Sequence, residues 1–170
     1  MFFYRRLTLK KVGIIMGSDS DLPVVTKAIN VLKELDIPYQ AHVFSAHRTP
    51  EQVSEFTKSA KENGYGVIIA FAGMAAHLAG AVAANTVLPV IGVPCKSSNL
   101  DGLDALLSTV QMPTGIPVAT VAIDGGANAG LLAAQIIAGS DEALYSKLKQ
   151  KRENDAIKVL KKDADLQEKL

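Results

Sequence analysis

Apolar residues fall along the chain in short dense runs separated by longer amphipathic stretches, and the alternation repeats. Residues 11–16 are almost wholly apolar after Lys11, as expected of a strand covered on both faces of a parallel sheet. Gly17-Ser18-Asp19-Ser20-Asp21 breaks that run with turn and capping residues. Pro23 then falls in the first turn of a helix whose Val25, Ala28, Ile29, Leu32 and Leu35 share one face, and Ile37-Pro38 ends it. The second period predicts a strand over 39–44 and a helix over 50–63, with Val53, Phe56 and Ala60 inward and Gly64 as C-terminal cap. Residues 67–71 form a third strand that opens into Ala72-Gly73-Met74. The small residues of 75–86, Gly80 among them, predict a helix that approaches its neighbours closely. A fourth strand over 90–93 is stopped by Pro94, and a polar loop over 95–102 leads to a helix over 103–110. The prolines of Gln111-Met112-Pro113-Thr114-Gly115-Ile116-Pro117 make that stretch an irregular connection. A fifth strand follows over 118–123, then a flexible loop, Asp124-Gly125-Gly126-Ala127, and a helix capped by Asn128 and running to Gly139.

Five strand–helix repeats predict an α/β fold, a doubly wound parallel sheet between two helical layers. The pattern divides the chain into an N-terminal extension (1–10), the α/β domain (11–139) and a C-terminal helical arm (140–170). In the arm, Leu144, Leu148, Ile157 and Leu160 form a thin stripe among many charges. So little apolar surface gains little from packing on its own domain, so the arm is expected to lie across a neighbouring subunit.

At 170 residues, 48% hydrophobic and 21% charged, the chain suffices for one domain with a sizeable core. A net charge of +1 with no long basic block outside the tail argues against a nucleic-acid partner and for a small polar ligand. The single cysteine, Cys95, excludes an internal disulfide framework and reads as a small buried residue. The start, Met1-Phe2-Phe3-Tyr4-Arg5-Arg6, has the wrong order of charge and apolar residues for a secretory signal, and no stretch approaches the ~20 apolar residues of a membrane span. A cytoplasmic protein without membrane contact is expected.

Parallel strands direct their C-terminal ends to one edge, so the loops at 17–21, 45–48, 72–77 and 95–99 should converge there. Ser18 and the amides before the first helix suit a phosphate, Arg48 supplies a bidentate partner, and Asp19 and Asp21 suit ribose hydroxyls. The stretch Phe44-Ser45-Ala46-His47-Arg48-Thr49-Pro50 joins a strand end to a helix start. Here Thr49 is expected to cap, Gln52 to reach back as a capping box, and Pro50 to take the first helical position. His47 is the one residue of that stretch able to change charge near neutral pH. Simpler readings stand beside these: Ser20 and Asp21 as helix caps, His47 as a loop histidine bonded to backbone, Arg48 as a surface cation. His42, inside a strand, reads as structural, and His77 stands at the cleft edge behind the ligand contacts. The three histidines lack paired metal-ligand spacing, so no metal is expected. No GxSxG elbow, Walker sequence or complete dinucleotide fingerprint occurs.

Met16-Gly17-Ser18-Asp19-Ser20-Asp21, residues 45–50, Ala75-Ala76-His77-Leu78, and Gln111-Met112-Pro113 followed by Gly115-Ile116-Pro117-Val118 together resemble the PurE family, the N5-carboxyaminoimidazole ribonucleotide mutases of bacterial purine synthesis. The resemblance covers residues 12–137. It implies a three-layer flavodoxin-like subunit with a five-stranded parallel sheet, a homo-octamer, and a cofactor-free reaction that moves a carboxyl group from an exocyclic nitrogen to an imidazole ring carbon. It further implies that Ser18, Asp21 and Arg48 hold the ribose phosphate, that His47 is the catalytic acid and base, and that Ser45, Gly73, His77 and Leu78 line the substrate pocket. The chain departs from the family at Met74 (usually glycine), Ala79 (usually proline) and Thr114 (commonly arginine), and its 123–128 loop is shorter. Two rivals are a sister carboxylase that uses free carbon dioxide and a phosphate-binding module without catalysis. Ala75-Ala76-His77-Leu78 favours the mutase over the first, and His47 beside Arg48 favours an enzyme over the second.

Overall fold

A computed structural model describes residues 9–170. Most of the N-terminal extension, including the stretch weighed as a secretory signal, lies outside the described residues. The elements run β1 (Lys11–Met16), a single 3-10 turn (Asp19–Asp21), α1 (Leu22–Glu34), β2 (Tyr39–Val43), α2 (Pro50–Ser59), β3 (Tyr65–Gly73), α3 (Leu78–Ala83), β4 (Val90–Cys95), α4 (Leu103–Val110), β5 (Ala119–Thr120), α5 (Gly126–Ala138) and α6 (Glu142–Gln167). The sheet order is β2-β1-β3-β4-β5 and every pairing is parallel, which is the flavodoxin-like arrangement. Ile14 stands level with Ala41 on one side and Ile69 on the other.

The side-chain period of two divides the sheet's residues between two cores. Val12, Ile14, Met16, Val67, Ile69, Phe71, Ile91 and Val93 face α1 and α5, whereas Ile15, Ile68, Ala70 and Val90 face α2 and α3. Ile14, Ile15, Ile68, Ile69 and Phe71 are fully enclosed, and each such side chain contributes about 1.5–3 kcal/mol relative to exposure. On the first face α5 comes close to α1 because Gly126 and Gly130 lack side chains. A Cβ on Gly126 would stand 2.1 Å from the Val24 carbonyl oxygen, and one on Gly130 2.9 Å from that of Ala28. No helix of the described residues is long and apolar enough to cross a membrane.

Several boundaries differ from the expectation. β4 runs through Pro94 to Cys95. Pro94 shares the parity of Gly92, whose carbonyl accepts from Val121 on the β5 side, so its missing N–H points past the end of β5 and interrupts no ladder bond. The fifth strand shrinks to two residues because Asp124, at φ +55°, turns the chain back and donates its N–H to the Pro94 carbonyl. The helix expected over 75–86 is confined to Leu78–Ala83, since neither Met74 (φ +52°) nor His77 (ψ +47°) adopts helical angles. Asn128 does not cap α5, which already begins at Gly126. α2 stops at Ser59, and Gly64, at φ +83°, closes the turns that follow.

The arm divides in two. Asp141 caps α6 by accepting from the Leu144 amide at 2.8 Å, Leu144 is buried, and Leu148 packs on the α1–α5 core. Lys147 pairs with Asp36 at 2.8 Å and Lys151 with Glu34 at 3.6 Å, both across to the C-terminal end of α1. The first half of the arm therefore docks on its own domain, contrary to the expectation. Beyond Asp155, Ile157, Val159, Leu160 and Leu166 are all more than half exposed.

Candidate active site

At the C-terminal edge of the sheet, the loops after β1 and β2 are stitched together. Gly17 continues β1 by donating to the Phe71 carbonyl at 3.0 Å. Ser18 caps the 3-10 turn, its Oγ accepting from the Ser20 amide at 3.3 Å and the Ser20 hydroxyl at 2.9 Å. Arg48 reaches across from the second loop and donates from Nη2 to the Gly17 carbonyl at 2.9 Å. Thr49 stands at the N-cap of α2 as expected, but its side chain makes no capping bond. Its Oγ1 accepts from the Ser45 amide at 2.8 Å and donates to the Ser45 carbonyl at 3.1 Å, while Ser45 Oγ accepts from the Arg48 amide at 3.3 Å. Pro50 does take the first helical position. A cavity of about 290 Å³ results, bounded by Ser18, Asp19, Ser45, Arg48 and Thr49. A larger one, about 920 Å³, lies at the opposite edge near the start of β4, but among the described residues its only charged lining is Lys58, Lys61 and Glu62, a poor set for proton transfer near neutral pH.

His47 is exposed in the turn between Ser45 and Arg48 and does not itself line this cavity. Asp21 is buried instead of lining it. Burial raises the Asp21 carboxyl above its ordinary range, the Ser18 amide and the Cys95 thiol oppose that rise, and the charges of Asp124 and Asp19 add to it. The same enclosure, with Asp21 and Asp124 nearby, pushes the Cys95 thiol up to about 12. Cys95 is thus a buried, unreactive thiol, as expected from the sequence. His42 stacks on Phe44 with centroids 4.7 Å apart and meets the edge of Phe56, and burial lowers its pKa, all consistent with a structural role.

The β3 loop completes the edge. Gly73 is level with Cys95 in the sheet, and a Cβ placed on it would lie 3.4 Å from the Cys95 carbonyl oxygen. Leu78 is buried beneath the first loop, its Cδ2 3.9 Å from where a Cβ on Gly17 would stand. His77 turns away toward α4: its Nδ1 meets the Ser108 carbonyl, and its ring occupies the space a side chain on Gly80 would need. The structure therefore brings Ser18, Ser45 and Arg48 onto one wall, with Leu78 below and Gly73 on the adjoining strand, and leaves Asp21, His47 and His77 off it. Thr49 and Asp124 do work that sequence reasoning missed. Thr49 ties the loop of His47, and Asp124 Oδ1 accepts from the Lys96 amide at 2.9 Å to fix the loop after β4. An Asp ahead of Gly-Gly was the available signal for the second.

The model of the family described as AIR carboxylase matches residues 11–158. A protein of Haemophilus influenzae named N5-carboxyaminoimidazole ribonucleotide mutase is 55% identical over 152 residues, 88% of this chain and 93% of the relative. One of the same name from Pyrococcus abyssi is 56% identical over 149 residues, 88% of this chain and 86% of the relative. The crystal structure of Treponema denticola PurE superposes with a TM-score of 0.85 at 32% identity, covering 92% of this chain and 98% of that one.

Proposed function

The chain belongs to the AIR carboxylase family, and from that membership we infer that it acts as an N5-carboxyaminoimidazole ribonucleotide mutase, an isomerase of purine biosynthesis. The observation that carries this reading is the identity of 55% across 88% of the chain to a relative bearing that name. The roles of the site residues are part of the same proposal. Arg48, oriented by the Gly17 carbonyl on the same wall as Ser18, holds the ribose phosphate with a charge-assisted contact. Ser45 closes the second loop over the ligand and Gly73 and Leu78 line the space for the carboxylate, whereas Asp21, buried, and His77, turned toward α4, reach the ligand only after moving.

The reaction begins as the bond between the exocyclic nitrogen and the carboxyl carbon breaks. Carbon dioxide leaves, and the nitrogen keeps the electron pair and accepts a proton. The electron-rich ring carbon then attacks the carbon dioxide, and loss of its proton restores the aromatic ring. One proton is given and one taken, so a single histidine serves both steps. His47 fills that role, worth about 10²–10⁴-fold in rate for a positioned acid–base group. The pocket keeps the released carbon dioxide beside the ring at high effective concentration.

We place the enzyme in the cytoplasm as a homo-octamer. Support for assembly comes from a stripe of half-exposed Leu103, Leu107 and Val110 along α4, with Leu100 in the turn before it, and from the bare outer half of α6. The functional reading is tested by supplying the protein, with chelator present, with N5-carboxyaminoimidazole ribonucleotide or with aminoimidazole ribonucleotide plus bicarbonate. Far faster conversion of the first is expected. Better use of the second at physiological concentrations would assign the chain to the carboxylases.

A further inference from the structure

Among the described residues, the side-chain oxygens buried without a hydrogen-bond partner are Ser97 Oγ, in the segment that joins β4 to α4, and Asp104 Oδ1, in the first turn of α4. Most buried polar atoms in folded proteins are partnered, so an orphan needs a reason. A slack backbone is not the reason at Ser97. The neighbouring Lys96 amide is held by Asp124 at 2.9 Å and the Lys96 ammonium by Asp101 at 3.0 Å. The segment then closes through Asp101 and Gly102, both left-handed at φ +51° and +91°, and Leu103 donates back to the Leu100 carbonyl at 2.9 Å. The backbone is clamped on both sides of a hydroxyl that has nothing to bind.

Of the two orphans, Ser97 stands against the β3 loop: its Cβ lies 4.0 Å from the position of a Cβ on Gly73. The next residue, Met74, is held at φ +52° and is 60% exposed, so the β3 loop beside Ser97 continues into a strained and lightly packed stretch.

We propose that Ser97 contacts the substrate, its hydroxyl donating a hydrogen bond to the migrating carboxylate once the ligand displaces the loop that begins at Met74. The proposal rests on the mutase reading. A neutral donor suits that reaction. The carboxylate is anionic on the nitrogen before transfer and on the ring carbon after it, and uncharged as carbon dioxide between. A fixed cation at this point would hold the starting anion and oppose its breakdown, whereas a hydroxyl orients both anions and releases the gas.

Full-length Ser97→Ala and Ser97→Thr proteins test it, with kcat and KM measured for the mutase reaction and Kd for aminoimidazole ribonucleotide, which has the ribose phosphate but no carboxylate. Ser97→Ala is expected to lower kcat/KM by about tenfold or more, the scale of one hydrogen bond to a charged group. Affinity for aminoimidazole ribonucleotide should stay within about twofold, and the ligand-free melting temperature should not fall, because the hydroxyl removed had no partner. Ser97→Thr, which keeps the donor, should recover most of the loss. Retention of kcat/KM in Ser97→Ala to within about twofold overturns the proposal. So does a loss shared equally by aminoimidazole ribonucleotide binding or accompanied by a changed assembly state, which would give the hydroxyl to packing or to a second copy of the chain. A parent protein inactive as a mutase is a separate result, seen before any variant is made, and overturns the reading beneath.

Discussion

The two halves of the sheet's C-terminal edge are built differently. After β1 and β2, reciprocal bonds between Ser45 and Thr49, the Arg48 contact to Gly17 and the serine pair at Ser18 and Ser20 leave the backbone tied and the cation aimed. After β3 and β4, Met74 sits in a left-handed conformation, His77 is turned toward α4, and Ser97 and Asp104 hold unmet oxygens. The half proposed to take the phosphate is organised by folding, so a ligand would meet it with little ordering cost. In the proposed reading, the half that takes the carboxylate is left for the substrate to complete. Where charge is constant through a reaction, a rigid partner serves; where charge disappears and returns, an adaptable one does.

The sharpest probe of that contrast is His47→Asn, which keeps polarity and size but cannot carry a proton. Turnover should fall about 10²–10⁴-fold while substrate affinity stays within about tenfold; near-normal turnover, measured on the same preparation as binding, would remove His47 from the chemistry. Arg48→Ala comes next. Losing a charge-assisted contact should cost about 1.5–3 kcal/mol of binding, for the phosphorylated ligand and not for its nucleoside. Equal losses for both, read by calorimetry, would break the assignment of phosphate to the rigid half.

Thr49→Val keeps the shape and deletes both bonds to Ser45. A loss of about 1–2 kcal/mol in stability is expected by denaturant titration, with KM rising more than kcat falls, as the loop bearing Arg48 loosens. An unchanged midpoint would show that the reciprocal bonds are not what organises that half. The smallest effect concerns Asp21, whose raised carboxyl means that folding favours its protonated form. The stability this group contributes is present below the unfolded value of about 3.9 and is lost as pH rises through the folded one. Asp21→Asn should therefore melt above the parent at neutral pH, and the gap should close on acidification toward that range. A gap independent of pH would refute the burial argument.

Much of this was legible in the residues. β1 and α4 end where the residues indicate because each is bounded by strong punctuation, Gly17 on one side and Gly102 and Pro113 on the other. The serine–arginine wall was legible because strand ends in a parallel sheet share an edge. What the sequence hid was set by tertiary contacts. Pro94 reads as a strand stop unless it is known that β5 ends two residues in. Thr49 sits at the cap as read, but only the fold shows its hydroxyl turned to Ser45 instead of to the helix. Asp21 carries the same letters whether it faces ribose or Cys95. The arm's thin stripe was visible, but its division into a docked half and a bare half depends on where α1 ends and presents Glu34 and Asp36.

The short β5 also bears on how the protein fails. A sheet recruits another chain only along an edge offering a run of free backbone groups. On the β5 side that run is two residues long, and beyond it Val121 and Asp124 already occupy the carbonyls of Gly92 and Pro94. The other margin, β2, spans Tyr39–Val43 with Val43 53% exposed. Strand addition by a partly opened neighbour must therefore start at β2, and a lysine or proline there would do more against aggregation than any change on the opposite side.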